Sequence, residues 1–131
     1  MFTVIHGNQQ PDSSADLPTS PGIRAGDFVF LSAQFSSDED GRPVCGTVET
    51  ETRGAFDNVK RVLSRVGLDL SHIVQVRCYL ADREDVAEFN RVYREIFSEP
   101  FPVRTTLAGC LPCDGRIAVD VVAFVGGNDD K

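Results

Sequence analysis

An α+β fold, with two helices packed on one face of a mixed sheet, is what this sequence predicts. Three observations carry the prediction. Two stretches, residues 47–66 and 83–97, place apolar side chains at helical spacing. Strand-like runs flank them, at residues 28–33, 73–80, 104–111 and 116–124. The order is strands, helix, strand, helix, two strands, which makes each helix a connection across one sheet. The 131 residues suit a single domain with one core, and no internal repeat is visible.

The elements follow in order. Residues 4–6 read as a short strand, and residues 7–21, rich in Asn, Gln, Pro, Asp and Ser, read as loop. Phe28-Val29-Phe30-Leu31-Ser32-Ala33 is a buried-type strand entered through a turn at Gly26-Asp27. Residues 36–42 make a polar, acidic connection. Thr47 suits a helix N-cap, and Glu49 and Glu51 place negative charge in the first turn. Val48, Ala55, Phe56, Val59, Val62, Leu63 and Val66 form the buried stripe, and Gly67 is a natural stop. In the next strand Val74, Val76, Cys78 and Leu80 share one face, with Gln75, Arg77 and Tyr79 on the other.

The second helix carries Val86, Phe89, Tyr93, Ile96 and Phe97 as its apolar stripe, and Asn90 falls on the same stripe. A buried amide must be hydrogen-bonded, so Asn90 either ties down backbone or faces a polar cavity. Pro100 and Pro102 end the helix, because proline lacks the N–H and fixes φ. Arg104 then opens a strand in which Arg104, Thr106 and Cys110 lie on one face and Leu107 and Leu111 on the other. A hairpin turn at residues 112–115 joins it to the last strand. There Ile117, Val119 and Val121 share a face opposite Ala118 and Asp120, and residues 126–131 read as a tail. The sheet face away from the helices mixes polar with apolar residues, which predicts self-association.

Charge and composition exclude several functions. The net charge is −7 and no basic run exceeds two residues, so a nucleic-acid surface is not expected. No apolar run approaches the ~20 residues that span a bilayer, so no membrane partner is expected. The first residues lack a charged n-region and a long apolar h-region, and a cytoplasmic location is expected. On an acidic protein an anionic ligand needs a local cation. Arg104 is the candidate, since its planar fork holds a carboxylate or phosphate by two parallel hydrogen bonds. Cys110-Leu111-Pro112-Cys113 has C-x-x-C spacing, which opens a thiol-based redox or stress function. A thioredoxin-type pair needs a helix N-terminus, however, and a turn and strand follow here. A structural zinc needs about four ligands, and the chain has no second C-x-x-C and only His6 and His72. Neither metal nor cofactor is expected.

Several segments resemble one known family. They are the run from Arg24 to Gln34, the helix segment from Glu51 through Asp57-Asn58-Val59-Lys60 to Leu63, and Phe89-Asn90-Arg91-Val92-Tyr93. Pro102-Val103-Arg104-Thr105-Thr106, Leu111-Pro112 and the last strand complete the set. In this order they resemble the RidA/YjgF family of enamine/imine deaminases, over about residues 18–124. The resemblance implies a chorismate-mutase-like fold and a homotrimer whose sheets form a central barrel, with clefts between subunits as active sites. It implies hydrolysis of small 2-iminoacids to 2-ketoacids and ammonia without metal or organic cofactor. Arg104 matches the arginine that clamps the substrate carboxylate, Asn90 an asparagine near the cleft, and Ala33 a small residue whose backbone lines the site.

Two departures bear on the chemistry. Thr19 stands where the family's deaminases carry a tyrosine, and Ala118 where they carry a glutamate thought to hold the attacking water. Asp120 points to the same face as Ala118 but sits two residues along, roughly 7 Å away. Thr106 occupies the place of a frequent cysteine. Arg104, Asp120 and Thr106 are therefore the candidate catalytic groups, and Arg104, Asn90, Ala33, Thr19 and Ala118 the candidate substrate contacts. Losing a positioned acid or base typically costs about 10²–10⁴-fold. The alternative is a non-catalytic trimer that binds a small carboxylate.

Overall fold

The computed structural model describes residues 1–6, 18–111 and 114–128. Its strands are β1 (Phe2–Ile5), β2 (Gly22–Ala25), β3 (Phe28–Leu31), β4 (Gln34–Phe35), β5 (Ile73–Leu80), β6 (Val103–Ala108) and β7 (Ile117–Phe124). Its helices are α1 (Val48–Ser64), between β4 and β5, and α2 (Val86–Ile96), between β5 and β6. The seven strands form one sheet in the order β1-β2-β3-β7-β5-β6, with β4 also paired to β7. Only β5 and β6 run parallel. A parallel pair requires a crossover, and α2 supplies it.

Local chemistry sets the helix ends. The Thr47 hydroxyl accepts from the Thr50 N–H at 3.1 Å, while the Thr50 hydroxyl accepts from the Thr47 N–H at 3.0 Å. Two donors that the first turn would leave unpaired are thus satisfied reciprocally. After α1, Gly67 takes φ +75°, where a side chain would be strained. The reversal lets the Leu68 N–H reach the Leu63 carbonyl at 3.0 Å. Both helices lie on one face of the sheet. Ala55, Phe56, Val59, Leu63, Phe89, Tyr93 and Phe97 meet Val29, Leu31, Val76, Cys78, Leu80, Val119 and Val121 in one buried cluster. This is the predicted α+β architecture.

The opposite face carries exposed apolar side chains toward both sheet edges and the polar residues Arg77, Tyr79 and Asp120 between them. Phe2, Val4, Phe28, Phe30, Val103 and Leu107 are between 39% and 66% exposed. Register places Phe30 beside Val122, Val103 beside Gln75 and Leu107 beside Tyr79, all pointing away from the helices. That many exposed large apolar side chains on one sheet face is unusual on a chain that stays alone.

Several sequence expectations change. The final two strands do not form a hairpin: β5 lies between β6 and β7, pairing parallel with one and antiparallel with the other. A central strand has both backbone edges paired, and β5 is satisfied on one side by β6 and on the other by β7. β6 ends at Ala108, and Gly109 at φ +76° turns the chain, so Cys110 is exposed beyond the strand and not on the Arg104 face. Val74 was expected in the core beside Val76. A bulge between Ile73 and Gln75 inserts one residue, so Ile73 is buried and Val74 is 41% exposed. The first strand is Phe2–Ile5 rather than residues 4–6, and β2 and β4 were not anticipated. Most of the loop expected at residues 7–21, and Cys113 of the C-x-x-C pair, lie outside the described residues.

One buried carboxylate fastens α1 to the sheet. Glu51 is 2% exposed. Its Oε1 accepts from the N–H of Arg116 at 2.6 Å and of Ile117 at 3.3 Å, and its Oε2 from the N–H of Gly46 at 2.9 Å. Asn58 does similar work nearby, donating to the Phe35 carbonyl at 2.7 Å and to the Ser37 hydroxyl at 2.8 Å. On the outer surface Arg53 bridges Glu49 and Glu95, and Arg91 bridges Glu49, Glu88 and Glu95. Such exposed pairs each contribute little, but as a network they tie α1 to α2.

Candidate functional site

Residue Arg104 sits in β6, opposite Val76 of β5, and so points to the helix-covered face. β6 is an edge strand, which leaves the side chain half-buried beneath α2 rather than sealed in the core. Its Nε donates to the Thr106 hydroxyl at 2.8 Å, and its Nη2 donates to Asn90 Oδ1 at 2.6 Å. The guanidinium carbon lies 4.8 Å from the Tyr93 ring centroid and 5.2 Å from that of Phe89. Helical spacing explains the grouping: Phe89 and Tyr93 are one turn apart, and Asn90 adjoins Phe89. Asn90 therefore meets a polar side chain, where the sequence left open backbone or a polar cavity. Arg104, Thr106 and Asn90 are brought together as the sequence expected.

The surroundings of this cation are apolar. Burial pushes the Cys78 thiol up to about 12, against the opposing pull of Arg104 and of a hydrogen bond with Thr106. Burial likewise raises the Tyr93 hydroxyl above the usual phenol range, with Cys78 adding to it and Arg104 opposing it. The Tyr93 hydroxyl has no hydrogen-bond partner among the described residues. A thiol at about 12 has an ionised fraction on the order of 10⁻⁴ at pH 8. Iodoacetamide at pH 8 is therefore expected to label exposed Cys45 while sparing Cys78, with peptide mass spectrometry as the readout. Labelling of Cys78 at a comparable rate would contradict that burial.

Asp120 and Ala118 lie elsewhere. Asp120 pairs in register with Arg77, and Ala118 with Tyr79, on the face away from the helices. Within one chain they are separated from Arg104 by the sheet. Both carboxylate oxygens of Asp120 are engaged: Arg77 Nε donates to one at 2.9 Å, and the Tyr79 hydroxyl to the other at 2.7 Å. The hydrogen bond to Asp120 raises the Arg77 guanidinium and is also the main cause that raises the Tyr79 phenol. A carboxylate so occupied is a weak candidate for activating water. Arg77 and Tyr79 were not singled out from sequence as its partners. The signal was present, since period-two alternation had already placed them together on one face.

Thr19 and Ala33 form a third grouping. Thr19 lines a cavity of about 330 Å³ with Ser20, Gly22, Ile23, Phe30, Leu31 and Ser32. The Ser32 hydroxyl donates to the Ser20 carbonyl at 2.6 Å and holds this loop to the end of β3. Ala33 follows in the gap between β3 and β4, exposed, where the β7 ladder is interrupted. These residues lie on the β2–β3 side of the sheet, whereas Arg104 lies on the β6 edge. The candidate contacts thus fall at three separate places on one chain. Among the described residues no group of three or more His, Cys, Asp or Glu could hold a metal ion, and no helix is long and apolar enough to cross a membrane.

Comparison with known proteins agrees with this fold. The family model described as endoribonuclease L-PSP matches residues 9–125. A RutC family protein of Pyrococcus horikoshii is 35% identical over 109 residues, covering 82% of this chain and 86% of that protein. A 2-iminobutanoate/2-iminopropanoate deaminase of Dermatophagoides farinae is 29% identical over 110 residues, covering 82% of this chain and 86% of its own. The crystal structure of yeast Mmf1 superposes with a TM-score of 0.84 at 30% identity, covering 95% of this chain and 98% of that one. The chain therefore belongs to the endoribonuclease L-PSP family, the RidA/YjgF family that its sequence resembles.

Proposed function

We propose that this protein hydrolyses small 2-iminoacids, or a related unstable enamine or imine carboxylate, to the 2-ketoacid and ammonia. The observation that carries the reading is Arg104, with its guanidinium held in one orientation at the sheet edge by Thr106 and Asn90. Nothing among the described residues pairs with its Nη1, so a donor edge remains for a ligand carboxylate. The similarity to the mite deaminase supports the same substrate class.

The chemistry fits a site that anchors and orients. Water adds to the carbon of the protonated imine, giving a tetrahedral carbinolamine. One water proton moves from oxygen to nitrogen, the C–N bond breaks as the C=O forms, and the remaining hydroxyl proton passes to the departing ammonia, which leaves as ammonium. Holding the carboxylate fixes the electrophilic carbon against the water, and much of a rate gain can come from that positioning.

The proposal includes assembly as a homotrimer. The Arg104 group and the Thr19–Ala33 group are different patches, so bringing them together is a heterologous contact, which closes into a ring when its rotation closes, as the family resemblance implies for three copies. The exposed apolar sheet face supports burial against further copies. In the ring the β6 edge of one copy would meet the β2–β3 side of the next.

A second reading is favoured by one observation: Ala118 carries no functional group, and Asp120 is already paired with Arg77 and Tyr79. That arrangement suits a protein that binds a small carboxylate without turning it over. One assay separates the two. 2-Iminobutanoate would be generated by an amino-acid oxidase and trapped with semicarbazide, with wild type, Arg104→Ala and Ala118→Glu run together. Acceleration by wild type that disappears in Arg104→Ala is the expected result. An inert wild type with an active Ala118→Glu would favour the binding reading, and no activity with no binding in any protein would overturn both.

A further inference from the structure

We propose that Tyr93 and Phe89 are positioning residues for Arg104, an aromatic platform that fixes the guanidinium plane so that one edge alone is offered to a carboxylate. The inference rests on the reading of Arg104 as the ligand clamp. Both rings lie within cation–π distance, at 4.8 and 5.2 Å. Both are buried, Phe89 at 0% and Tyr93 at 4% exposure, so neither can itself touch a ligand. The Tyr93 ring is held in turn by Phe97 at 4.7 Å, Phe89 at 5.7 Å and Phe56 at 6.0 Å.

The side chain is thus constrained in two ways. Hydrogen bonds from Nε to Thr106 and from Nη2 to Asn90 set its rotation within the guanidinium plane. The rings set the tilt of that plane, which two in-plane hydrogen bonds leave loose. A long flexible side chain ordered before binding gives up less entropy when the ligand arrives. The Tyr93 hydroxyl contributes nothing visible to this arrangement, since it has no partner among the described residues. The ring face is the working part, so phenylalanine should replace it and an aliphatic residue should not.

The test measures binding of 2-oxobutanoate and of its amide by calorimetry, with wild type, Tyr93→Phe, Tyr93→Leu and Arg104→Ala. Thermal denaturation of each protein checks folding. Tyr93→Leu is expected to weaken carboxylate binding about 10-fold, with Tyr93→Phe within about 2-fold of wild type. Amide binding should change little, which a general loss of packing would not produce. If Tyr93→Leu proves too unstable, the Nε–H proton resonance of Arg104 in Tyr93→Phe and wild type gives the second readout. Ring-current displacement retained in both supports the platform, and its absence from both removes it. Tight carboxylate binding by folded Tyr93→Leu would overturn the platform while leaving the clamp. Unchanged binding by Arg104→Ala would overturn the clamp itself.

Discussion

Replacing Arg104 with alanine is expected to weaken small-carboxylate binding by about 10²–10³-fold, equivalent to about 3–4 kcal/mol. Each hydrogen bond to a charged group is worth about 1.5–3 kcal/mol, and a bidentate carboxylate takes two. Because the arginine is already oriented by Thr106 and Asn90, little of that is spent on ordering it. Lysine should recover only part of the loss. An ammonium keeps the charge but presents neither the fork nor a planar face to Tyr93 and Phe89. The measurement is calorimetric titration of 2-oxobutanoate, with circular dichroism confirming the fold. An alanine variant that binds as wild type does would mean that the carboxylate lies somewhere else.

The second large effect concerns stability. Removing Glu51 leaves three backbone N–H groups without their acceptor, those of Gly46, Arg116 and Ile117. Each orphaned donor costs about 1–3 kcal/mol where water cannot replace the carboxylate. Glu51→Ala should therefore destabilise the fold by on the order of 3–5 kcal/mol, read as a fall in Tm of roughly 10–20 °C. Glu51→Gln should cost less. Its amide oxygen can still serve Arg116 and Ile117, while its NH₂ confronts the Gly46 N–H, a loss of about 1–2 kcal/mol. Melting curves must be compared at one protein concentration, because association adds to apparent stability. Equal Tm values for Glu51→Ala and wild type would show that these bonds are replaced by water at little cost.

The sequence revealed those features that depend on short-range spacing. The stripe from Val48 to Leu63, the Thr47 cap and the Gly67 stop all follow from helical period and backbone sterics, and the structure has them where expected, with Val66 falling just past the end of α1. Asn90 was recognisable as a polar residue on an apolar stripe, and it meets Arg104. Features that depend on pairing between distant segments were not legible. Nothing local in β6 and β7 says that β5 lies between them, so a turn-like run at residues 112–115 read as a hairpin. Nothing in β7 alone says that Asp120 meets Arg77 and Tyr79. Glu51 read as a favourable charge in the first turn of a helix, and two of its three partners are 65 and 66 residues away. β4 has two residues, too few to show any period.

The position of β7 also has a meaning for synthesis on the ribosome. It is the last strand in the chain, yet it stands in the middle of the sheet, paired with β3, β4 and β5. Without it the sheet order leaves two pieces, the antiparallel β1, β2 and β3 and the parallel β5–β6 pair. Val119 and Val121, which fill the core between those pieces, arrive with it. Folding to the final state therefore waits for β7, and until it emerges the inner edges of β3 and β5 are open to pairing with other chains.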